Sequence, residues 1–286
     1  MKKISLISTV YNEEANISAF LQSYKKQTRI ADEYVIVDGG STDATVSIIE
    51  NFAKENPNLN IKLIIDKTCS KKYSKGPIAK GRNIAIQNAQ YDYIAATDAG
   101  CILNNNWFEE LVKPFEEDDS IDVISGWYEG LADNEFQKIY DLLYMPKLNQ
   151  LCREKFLPSS RNIAFKKKCW EEIGGYPEET YTAEDTVYDI RLKKAGFKFF
   201  FNENAIVKWE LPKNLEEAKK KHYNYAYGDG QNLLYIRTYI YWFLGVICPI
   251  KLLVKHRKTF NIRYQMLCSI VFGYLNGAVK QFFTKY

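Results

Sequence analysis

The 286-residue sequence predicts an α/β fold, with a mostly parallel, Rossmann-like sheet flanked by helices and followed by a helical C-terminal region. Short, almost wholly apolar segments alternate with segments of helical periodicity, which is typical of a parallel sheet covered on both faces. Several of the apolar segments end in an aspartate. Residues 230–286 differ from the rest, because they contain eight basic residues and no Asp or Glu.

Four strands and three helices are predicted in the first hundred residues. The strands are expected at residues 4–9, 34–38, 62–66 and 93–97. Ile17, Phe20 and Tyr24 have the spacing of one apolar helix face, and further helices are expected around residues 49 and 84. This alternation is what predicts the parallel sheet.

Beyond residue 101 the alternation is less regular. Helices are predicted at residues 107–115, 136–156 and 184–195, and strands at 123–125, 159–165, 197–201 and 205–209. No low-complexity linker divides this part of the chain. We therefore expect one domain over residues 1–230 and a basic, apolar helical region over residues 231–286.

Residues 231–286 are rich in aromatic and aliphatic side chains. A membrane-spanning helix needs ~20 mostly uncharged residues, and the most apolar window, residues 238–250, is shorter than that. A second apolar stretch covers residues 266–279. Together with the excess of basic residues, this pattern favours helices that lie on a membrane surface. The alternative is a helical pair that closes the core or forms a dimer.

Composition argues against several classes of protein. The six cysteines are scattered and form no C-x-x-C pair, which predicts reduced thiols and neither a disulfide framework nor a zinc site. The N-terminus enters a strand directly, so we expect no secretory signal. The net charge of +4 is mild, and we expect no nucleic-acid partner.

Three acidic residues, Asp38, Asp66 and Asp98, stand at the ends of predicted strands. Ligands bind at this edge of open α/β sheets, and a carboxylate there can contact a base or ribose or bind a hard cation. Each acid could equally form a turn or cap a helix, and Asp43 is the one best suited to capping. Gly100, close to Asp98, leaves room for a bulky ligand.

The basic stretch of residues 71–82 could offset the charge of a diphosphate. Arg82 is the strongest candidate, because it is expected at the start of a helix, whereas the lysines suit a solvated loop. The phosphate-binding signature G-x-x-x-x-G-K-[ST] is absent, which argues against a P-loop nucleotide site.

Glu184 and Asp185 open a predicted helix. Thr182 and Asp185 have the spacing of a capping box, which would give Asp185 a structural role. Alternatively, the helix dipole would stabilise a carboxylate in the first turn as an anion, by ~0.3–1 kcal/mol, and an ionised carboxylate suits a general base. Spacing alone leaves both interpretations open.

Seven short motifs resemble, in order, those of the family 2 inverting glycosyltransferases, and the ordered set is more specific than any single motif. They are ISTVYNE at 7–13, VIVDGGSTD at 35–43, GRN at 81–83, TDAG at 97–100, SRNIAF at 160–165, GGY at 174–176 and AED at 183–185. The resemblance covers roughly residues 3–210. It implies the GT-A fold, a single nucleotide-sugar-binding α/β unit, with residues 1–100 on the nucleotide side and residues 101–230 on the acceptor side.

The resemblance also implies the residues that bind the donor. Thr9, Tyr11 and Glu13 would line the nucleotide pocket. Asp38 would contact the base, most often uracil, and Arg82 would lie near the nucleotide or its diphosphate.

For the metal, the resemblance implies Mn²⁺ or Mg²⁺ bound by Asp98, the first acid of the family's D-x-D pattern, which also lies on the ribose side. The second acid of that pattern is replaced here by Gly100. Many relatives have a histidine after the late strand, where this chain has Trp209, so Lys208 could take over some of the phosphate neutralisation. His222 is expected on a solvated helix face and not as a ligand.

Catalysis, on the same resemblance, would rest on Asp185 as general base, with Glu184 helping to orient the acceptor. The predicted function is inverting, metal-dependent transfer of a sugar from a nucleotide diphosphate donor, most often a UDP-sugar, to a hydroxyl of a glycan or lipid-linked acceptor. We expect a cytoplasmic enzyme of surface polysaccharide or glycolipid assembly, peripheral at the inner face of the cell membrane through residues 231–286. Residues 227–231 resemble a flexible loop that some relatives place over the donor.

Two alternatives are kept. One is a nucleotide-sugar-binding protein that has lost catalysis, against which the presence of Asp98 and Asp185 argues. The other is a sugar nucleotidyltransferase, which would normally have a glycine-rich, basic loop after its first strand. Residues 11–14 are acidic and contain no glycine, which disfavours this class.

Overall fold

The computed structural model describes residues 1–284, which group into two compact units. The N-terminal unit comprises Met1–Leu131, Met145–Glu179 and Glu184–Glu210, and the C-terminal unit comprises Ala132–Tyr144, Thr180–Ala183 and the chain from Leu211 onward. The domain boundary that the sequence predicts at residue 230 falls inside a helix, Leu215–Gln231.

The described residues contain eight strands and twelve α-helices. The strands are β1 (Ile4–Val10), β2 (Glu33–Asp38), β3 (Ile61–Ile65), β4 (Tyr93–Ala96), β5 (Cys101–Leu103), β6 (Val123–Leu131), β7 (Ile163–Lys166) and β8 (Phe199–Glu210). The helices are α1 (Ile17–Lys25), α2 (Thr45–Glu55), α3 (Pro77–Gln87), α4 (Trp107–Val112), α5 (Pro114–Glu117), α6 (Glu135–Tyr144), α7 (Lys167–Glu172), α8 (Glu184–Lys194), α9 (Leu215–Gln231), α10 (Ile236–Ile247), α11 (Ile250–Lys255) and α12 (Phe260–Thr284).

The strands form one sheet in the order β3-β2-β1-β4-β7-β6-β8-β5. The half made of β3, β2, β1 and β4 is parallel, as the alternation predicts. In the other half, β7 is antiparallel to both of its neighbours, and β5 is antiparallel to β8. The α/β prediction is therefore confirmed, with a parallel first half and a mixed second half.

Alternate residues of the parallel strands enter two different cores, which explains their uniformly apolar sequences. Leu6 and Ile36 pack with Phe20 of α1 on one face of the sheet. Ile7 packs on the other face, in the cluster that includes Tyr188 of α8. Burial on both faces selects apolar residues at every position of such a strand.

Several details differ from the sequence prediction. The helix predicted at residues 136–156 ends at Tyr144, the last residue of α6. Strand β7 begins at Ile163, so residues 159–162 form the approach to it, and β5 was not predicted because a three-residue strand has too short a pattern. Residues 197–201 and 205–209, predicted as two strands, contribute to the single strand β8. Arg82 lies in the second turn of α3 and not at its start.

The C-terminal unit is built around the close packing of α9 against α12. A Cβ atom on Gly230 or Gly277 would collide with the backbone of the partner helix, so glycine is what allows this approach. The prediction of a flexible loop at residues 227–231 is therefore wrong, because these residues form the last turns of α9. None of the helices within residues 1–284 is long and apolar enough to cross a membrane.

His222 of α9 is not on a solvated face, contrary to the sequence prediction. Its Nε2 atom lies 2.7 Å from the hydroxyl oxygen of Tyr140, and its ring also contacts that of Tyr144. Burial, aided by the charge of Lys221, lowers the pKa of His222 to about 4. The residue is thus a neutral packing residue at neutral pH.

Candidate active site

Arg82 joins two acidic motifs that are far apart in sequence. Its guanidinium donates to Glu184 Oε1 at 2.7 Å and to Asp98 Oδ1 at 2.8 Å. The Arg82 side chain is only 5% exposed, and it lies over the ring of Tyr176. The end of β4 and the start of α8 are therefore linked through one buried cation.

The position of Arg82 depends on how closely α3 approaches β1. A Cβ atom on Gly81 would lie 2.7 Å from Thr9 Cγ2, which is closer than real Cβ atoms come. Glycine at 81 thus lets the helix rest on Thr9. Pro77 at the first helical turn fixes where α3 begins, one and a half turns before Arg82.

Asp98 faces a second cation that the sequence analysis did not single out. Arg161 Nε lies 3.9 Å from Asp98 Oδ2, and the Arg161 guanidinium stacks 4.4 Å from the ring of Trp209 and 5.4 Å from that of Tyr128. Trp209 stands where the resemblance leads one to expect a histidine. The available signal was the arginine within the SRNIAF motif, but its partner lies 48 residues later and no local pattern connects them.

A metal fits beside Asp98 if a ligand supplies most of the donor atoms. No group of three or more His, Cys, Asp or Glu side chains able to hold a metal occurs in residues 1–284. The Asp98 side chain is 37% exposed, and the space next to Gly100 is open. Mg²⁺ is commonly bound by one or two carboxylates together with substrate phosphates and water. The residues present therefore suit a metal shared with a diphosphate.

Glu13 faces the same region. The residue is half-buried, and burial raises the pKa of its carboxyl group, with a further contribution from the negative charges of Asp98 and Asp43. Thr9 lies at the end of β1 under Gly81, and Tyr11 is 50% exposed. The first motif is thus brought next to Asp98, as the strand-end argument predicts.

The side chains of Asp38 and Asp43 accept hydrogen bonds from residues a few positions later in the chain. Asp38 is fully buried, and its Oδ1 accepts from the backbone N–H groups of Gly40 and Ser41, both at 2.8 Å. Asp43 accepts from the backbone N–H and the hydroxyl of Thr45, which suits its predicted capping role. The contact of Asp38 with a nucleotide base stays a prediction.

Asp185 is not part of the capping box that its spacing suggests. The Thr182 hydroxyl donates to the carbonyl of Asn224. Asp185 Oδ1 accepts from the N–H of Thr186 at 2.8 Å, and its Oδ2 lies 3.5 Å from Ser159 Oγ. This leaves Asp185, a half-buried carboxylate in the first turn of α8, available for proton transfer.

Glu184 and the residue before it define a constrained start of α8. Ala183 has a φ of +63°, a conformation that costs a non-glycine residue roughly 1–3 kcal/mol and is typical of functional sites. Glu184 is buried, and this burial raises its pKa. The charge of Asp185 raises it further, whereas Arg82 opposes the shift. The carboxylate of Glu184 is therefore held in place by its hydrogen bond from Arg82.

Asp189, four residues after Asp185 on α8, was not foreseen from the sequence. It is fully buried, and neither carboxylate oxygen has a hydrogen-bond partner among residues 1–284. Burial, together with the charge of Asp185, raises its pKa well above the usual range. A buried acid whose neutral form is favoured thus lies one turn below Asp185.

The comparisons with known proteins agree with this geometry. The family model described as glycosyl transferase family 2 matches residues 5–174, more than half of the chain. This chain belongs to glycosyltransferase family 2. A second model, glycosyl transferase family group 2, matches residues 93–280 and so covers Asp98, Glu184 and Asp185.

Among its relatives, the glycosyltransferase is 22% identical to a dolichyl N-acetyl-α-D-glucosaminyl phosphate 3-β-D-2,3-diacetamido-2,3-dideoxy-β-D-glucuronosyltransferase of Methanococcus voltae, over 98% of both chains. It resembles the mannosyltransferase PcManGT of Pyrobaculum calidifontis, solved with GDP-Man and Mn²⁺, with a TM-score of 0.70, 17% identity and coverage of 99% and 88% of the two chains. It also resembles S. aureus TarS 1–349, solved with UDP-GlcNAc, with a TM-score of 0.57, 17% identity and coverage of 98% and 92%. The predicted GT-A fold is confirmed.

Proposed function

We propose that this family 2 glycosyltransferase moves a sugar from a UDP-sugar to an acceptor hydroxyl and inverts the anomeric carbon. The observation that carries the proposal is the buried Arg82, which holds Asp98 of the donor-side motif and Glu184 of the acceptor-side motif together. Asp185 lies beside Glu184 and is free of the capping contact. This arrangement supports a donor site and a general base at the same edge of the sheet.

The donor would bind at the carboxyl ends of the parallel strands. Thr9, Tyr11 and Glu13 would line the nucleotide pocket, and Asp38 would contact the base. The structural neighbour TarS was solved with UDP-GlcNAc, which supports a uridine nucleotide. PcManGT was solved with GDP-Man, so donors with both bases must be compared by experiment. Uridine is chosen because Asp38 stands in the motif that most often contacts uracil.

The diphosphate would lie between Asp98 and the two arginines. Asp98 would share Mn²⁺ or Mg²⁺ with the phosphates, and this ion, when bound, would neutralise charge on the departing diphosphate as a Lewis acid. Arg82 and Arg161 would add positive charge on the protein side. The guanidinium carbon of Arg161 lies 4.4 Å from the ring centre of Trp209, and this contact would hold the group in place before a phosphate arrives.

Asp185 would act as the general base. The acceptor oxygen forms a bond to the anomeric carbon as the bond from that carbon to the diphosphate oxygen breaks, and the acceptor proton passes to Asp185. A base in this role contributes ~10²–10⁴-fold to the rate. Glu184, fixed to Arg82, would orient the site and not take the proton.

The acceptor would be a glycan or a lipid-linked sugar in surface polysaccharide or glycolipid assembly. The Methanococcus voltae relative acts on a dolichyl-linked sugar according to its name. The basic, acid-free residues 231–286 would bring the enzyme to the inner face of the cell membrane as a peripheral protein. Within the catalytic domain, residues 1–100 would serve the donor and residues 101–230 the acceptor.

A panel of nucleotide sugars, with Mn²⁺ present, tests the proposal. The donor should raise the melting temperature, because a ligand at 100 times its Kd stabilises the folded state by ~2.7 kcal/mol. The same UDP-sugar should be hydrolysed slowly, and the released sugar should have the inverted anomeric configuration by NMR. Stabilisation by GDP-sugars alone would contradict the uridine assignment, and release of the retained anomer would contradict inversion.

A further inference from the structure

The C-terminal unit contains a cavity of about 620 Å³, here called the C-terminal cavity. Helices α10, α11 and α12 form most of its wall, and aromatic or aliphatic side chains such as Trp242, Leu244 and Leu267 cover much of it. Small-molecule sites in proteins typically have volumes of ~300–1,000 Å³. The cavity is thus large enough for part of one amphiphilic molecule.

Positive charge lines the same cavity. Lys251, Lys255 and Arg263 contribute to its wall together with His256, and none of the described residues that line it is acidic. Desolvation, followed by the charges of Arg263 and Lys255, lowers the pKa of His256, which agrees with a locally positive potential. An anionic group would relieve this potential, so the cavity suits a ligand with an apolar part and a negative charge.

Exposed apolar side chains surround the cavity on the helices that form its wall. Leu244 and Ile247 of α10 are 58% and 65% exposed, and Ile250 and Val254 of α11 are 63% and 78% exposed. Isolated exposed apolar residues are common, but a group of them within one short segment marks a surface for an apolar partner. The cavity therefore opens within a surface that is apolar and basic at once.

We propose that the C-terminal cavity binds one anionic phospholipid of a bilayer, with its phosphate against Lys251, Lys255 and Arg263 and its chain along the apolar wall. The proposal rests on the membrane contact of the proposed function and adds a defined lipid site to it. Charge disfavours symmetric pairing of this surface with the same surface of a second copy, because residues 230–286 contain no Asp or Glu to meet the basic groups. Like charges brought together across an interface are unfavourable.

Labelling of the natural cysteines tests whether the cavity takes a single lipid. Cys248 lines the cavity and is exposed, whereas Cys152 is exposed and does not line it. Short-chain phosphatidylglycerol below its micelle concentration should slow the reaction of Cys248 with a maleimide severalfold and leave Cys152 unchanged. Equal protection by inorganic phosphate, or none by the phosphatidylglycerol, would overturn the proposal.

Charge removal tests whether the site matters for a bilayer. The full-length protein is mixed with phosphatidylcholine vesicles, with and without phosphatidylglycerol. The cavity variant is Lys251→Gln with Lys255→Gln, and its matched control is Arg257→Gln with Lys258→Gln, two exposed residues of the same segment that do not line the cavity. Surface attraction alone contributes similarly for each basic residue, so an additional loss of ~10-fold in the cavity variant is expected from a defined site.

The outcomes separate this proposal from the proposed function. If both double variants lost the same amount of vesicle affinity, general surface attraction alone would explain the binding, and the lipid site would be overturned. Self-association of the wild type that depends on Lys251 and Lys255 would replace the lipid by a second copy and overturn it as well. UDP-sugar hydrolysis should remain intact in the cavity variant. If the wild-type protein did not hydrolyse any UDP-sugar, that result would instead count against the proposed UDP-sugar donor.

Discussion

Arg82 is the residue on which the electrostatics of the site depend. Two carboxylates, one of them buried, lie within 2.8 Å of its guanidinium. A buried ion pair contributes little net stability, but removing one partner leaves an uncompensated charge and costs ~3–5 kcal/mol. Loss of the Arg82 side chain should therefore both destabilise the fold and release Asp98 and Glu184 from their positions.

The variant Arg82→Met should lower the free energy of unfolding by about 3 kcal/mol, because Glu184 is left buried without its cation. Adding Glu184→Gln to it should restore most of this loss. Urea denaturation of the single and double variants measures both values, with the exposed Lys54→Ala as control. A single variant as stable as wild type would show that the pair is not formed.

Asp189 gives a prediction about pH. Its pKa in the folded protein is raised above the unfolded value of ~3.9, so the folded state holds a proton that the unfolded state releases. Stability should therefore fall as the pH rises from about 4 towards the folded pKa. Asp189→Asn should weaken this fall and increase stability at pH ~7.

The control for Asp189 is a carboxylate with the opposite shift. Hydrogen bonds from Thr68 lower the pKa of Asp66, so its contribution is present above the unfolded pKa and lost as the pH falls. Asp66→Asn should therefore cost a little stability at neutral pH. Thermal melts from pH ~4 to ~8 compare the two variants. Parallel curves for wild type and Asp189→Asn would rule out a buried, protonated Asp189.

Arg161 is expected to serve the donor and not the chemical step. Arg161→Gln should raise KM for the UDP-sugar with little change in kcat, and it should raise the Mn²⁺ concentration needed for half-maximal activity, since a cation beside Asp98 is lost. Arg161→Lys keeps the charge but loses the contact of the guanidinium group with the Trp209 ring, so it should recover only part of the effect. Steady-state kinetics separate these cases, and a fall in kcat alone would contradict them.

At the scale of elements, the contact between α3 and β1 positions the site. Gly81→Ala adds a methyl group where only 2.7 Å separates the new carbon from Thr9 Cγ2. Overpacking of this kind costs ~1–3 kcal/mol. It should also shift α3, and with it Arg82, so activity should fall together with stability.

The companion variant Thr9→Ser removes the methyl group that Gly81→Ala would meet. The double variant should therefore recover much of the lost stability, measured by urea denaturation. Recovery identifies the collision as the cause. If Gly81→Ala were as stable and active as wild type, α3 could not be as close to β1 as described.

For the molecule as a whole, the sequence best predicted the features that depend on residues close together in the chain. The four parallel strands follow from apolar segments, and Asp98 and Asp185 lie where strand ends and the first helical turn place them. The pairing of Arg161 with Trp209 could not be predicted, because it joins residues of different strands and loops. The end of α9 was missed for a related reason. Gly228 and Gly230 suggest a turn by propensity, but Gly230 packs closely against the backbone of α12 and both residues are helical.

Asp185 is proposed as the general base of an inverting sugar transfer, and its removal tests this role. The most direct measurement follows UDP release from the UDP-sugar chosen by the donor panel, with water as acceptor, in wild type and Asp185→Asn. If Asp185 is the base, hydrolysis by Asp185→Asn should be at least ~100-fold slower while the affinity for the UDP-sugar is unchanged, and Asp66→Asn should retain activity. Hydrolysis by Asp185→Asn at the wild-type rate would show that Asp185 is not the base.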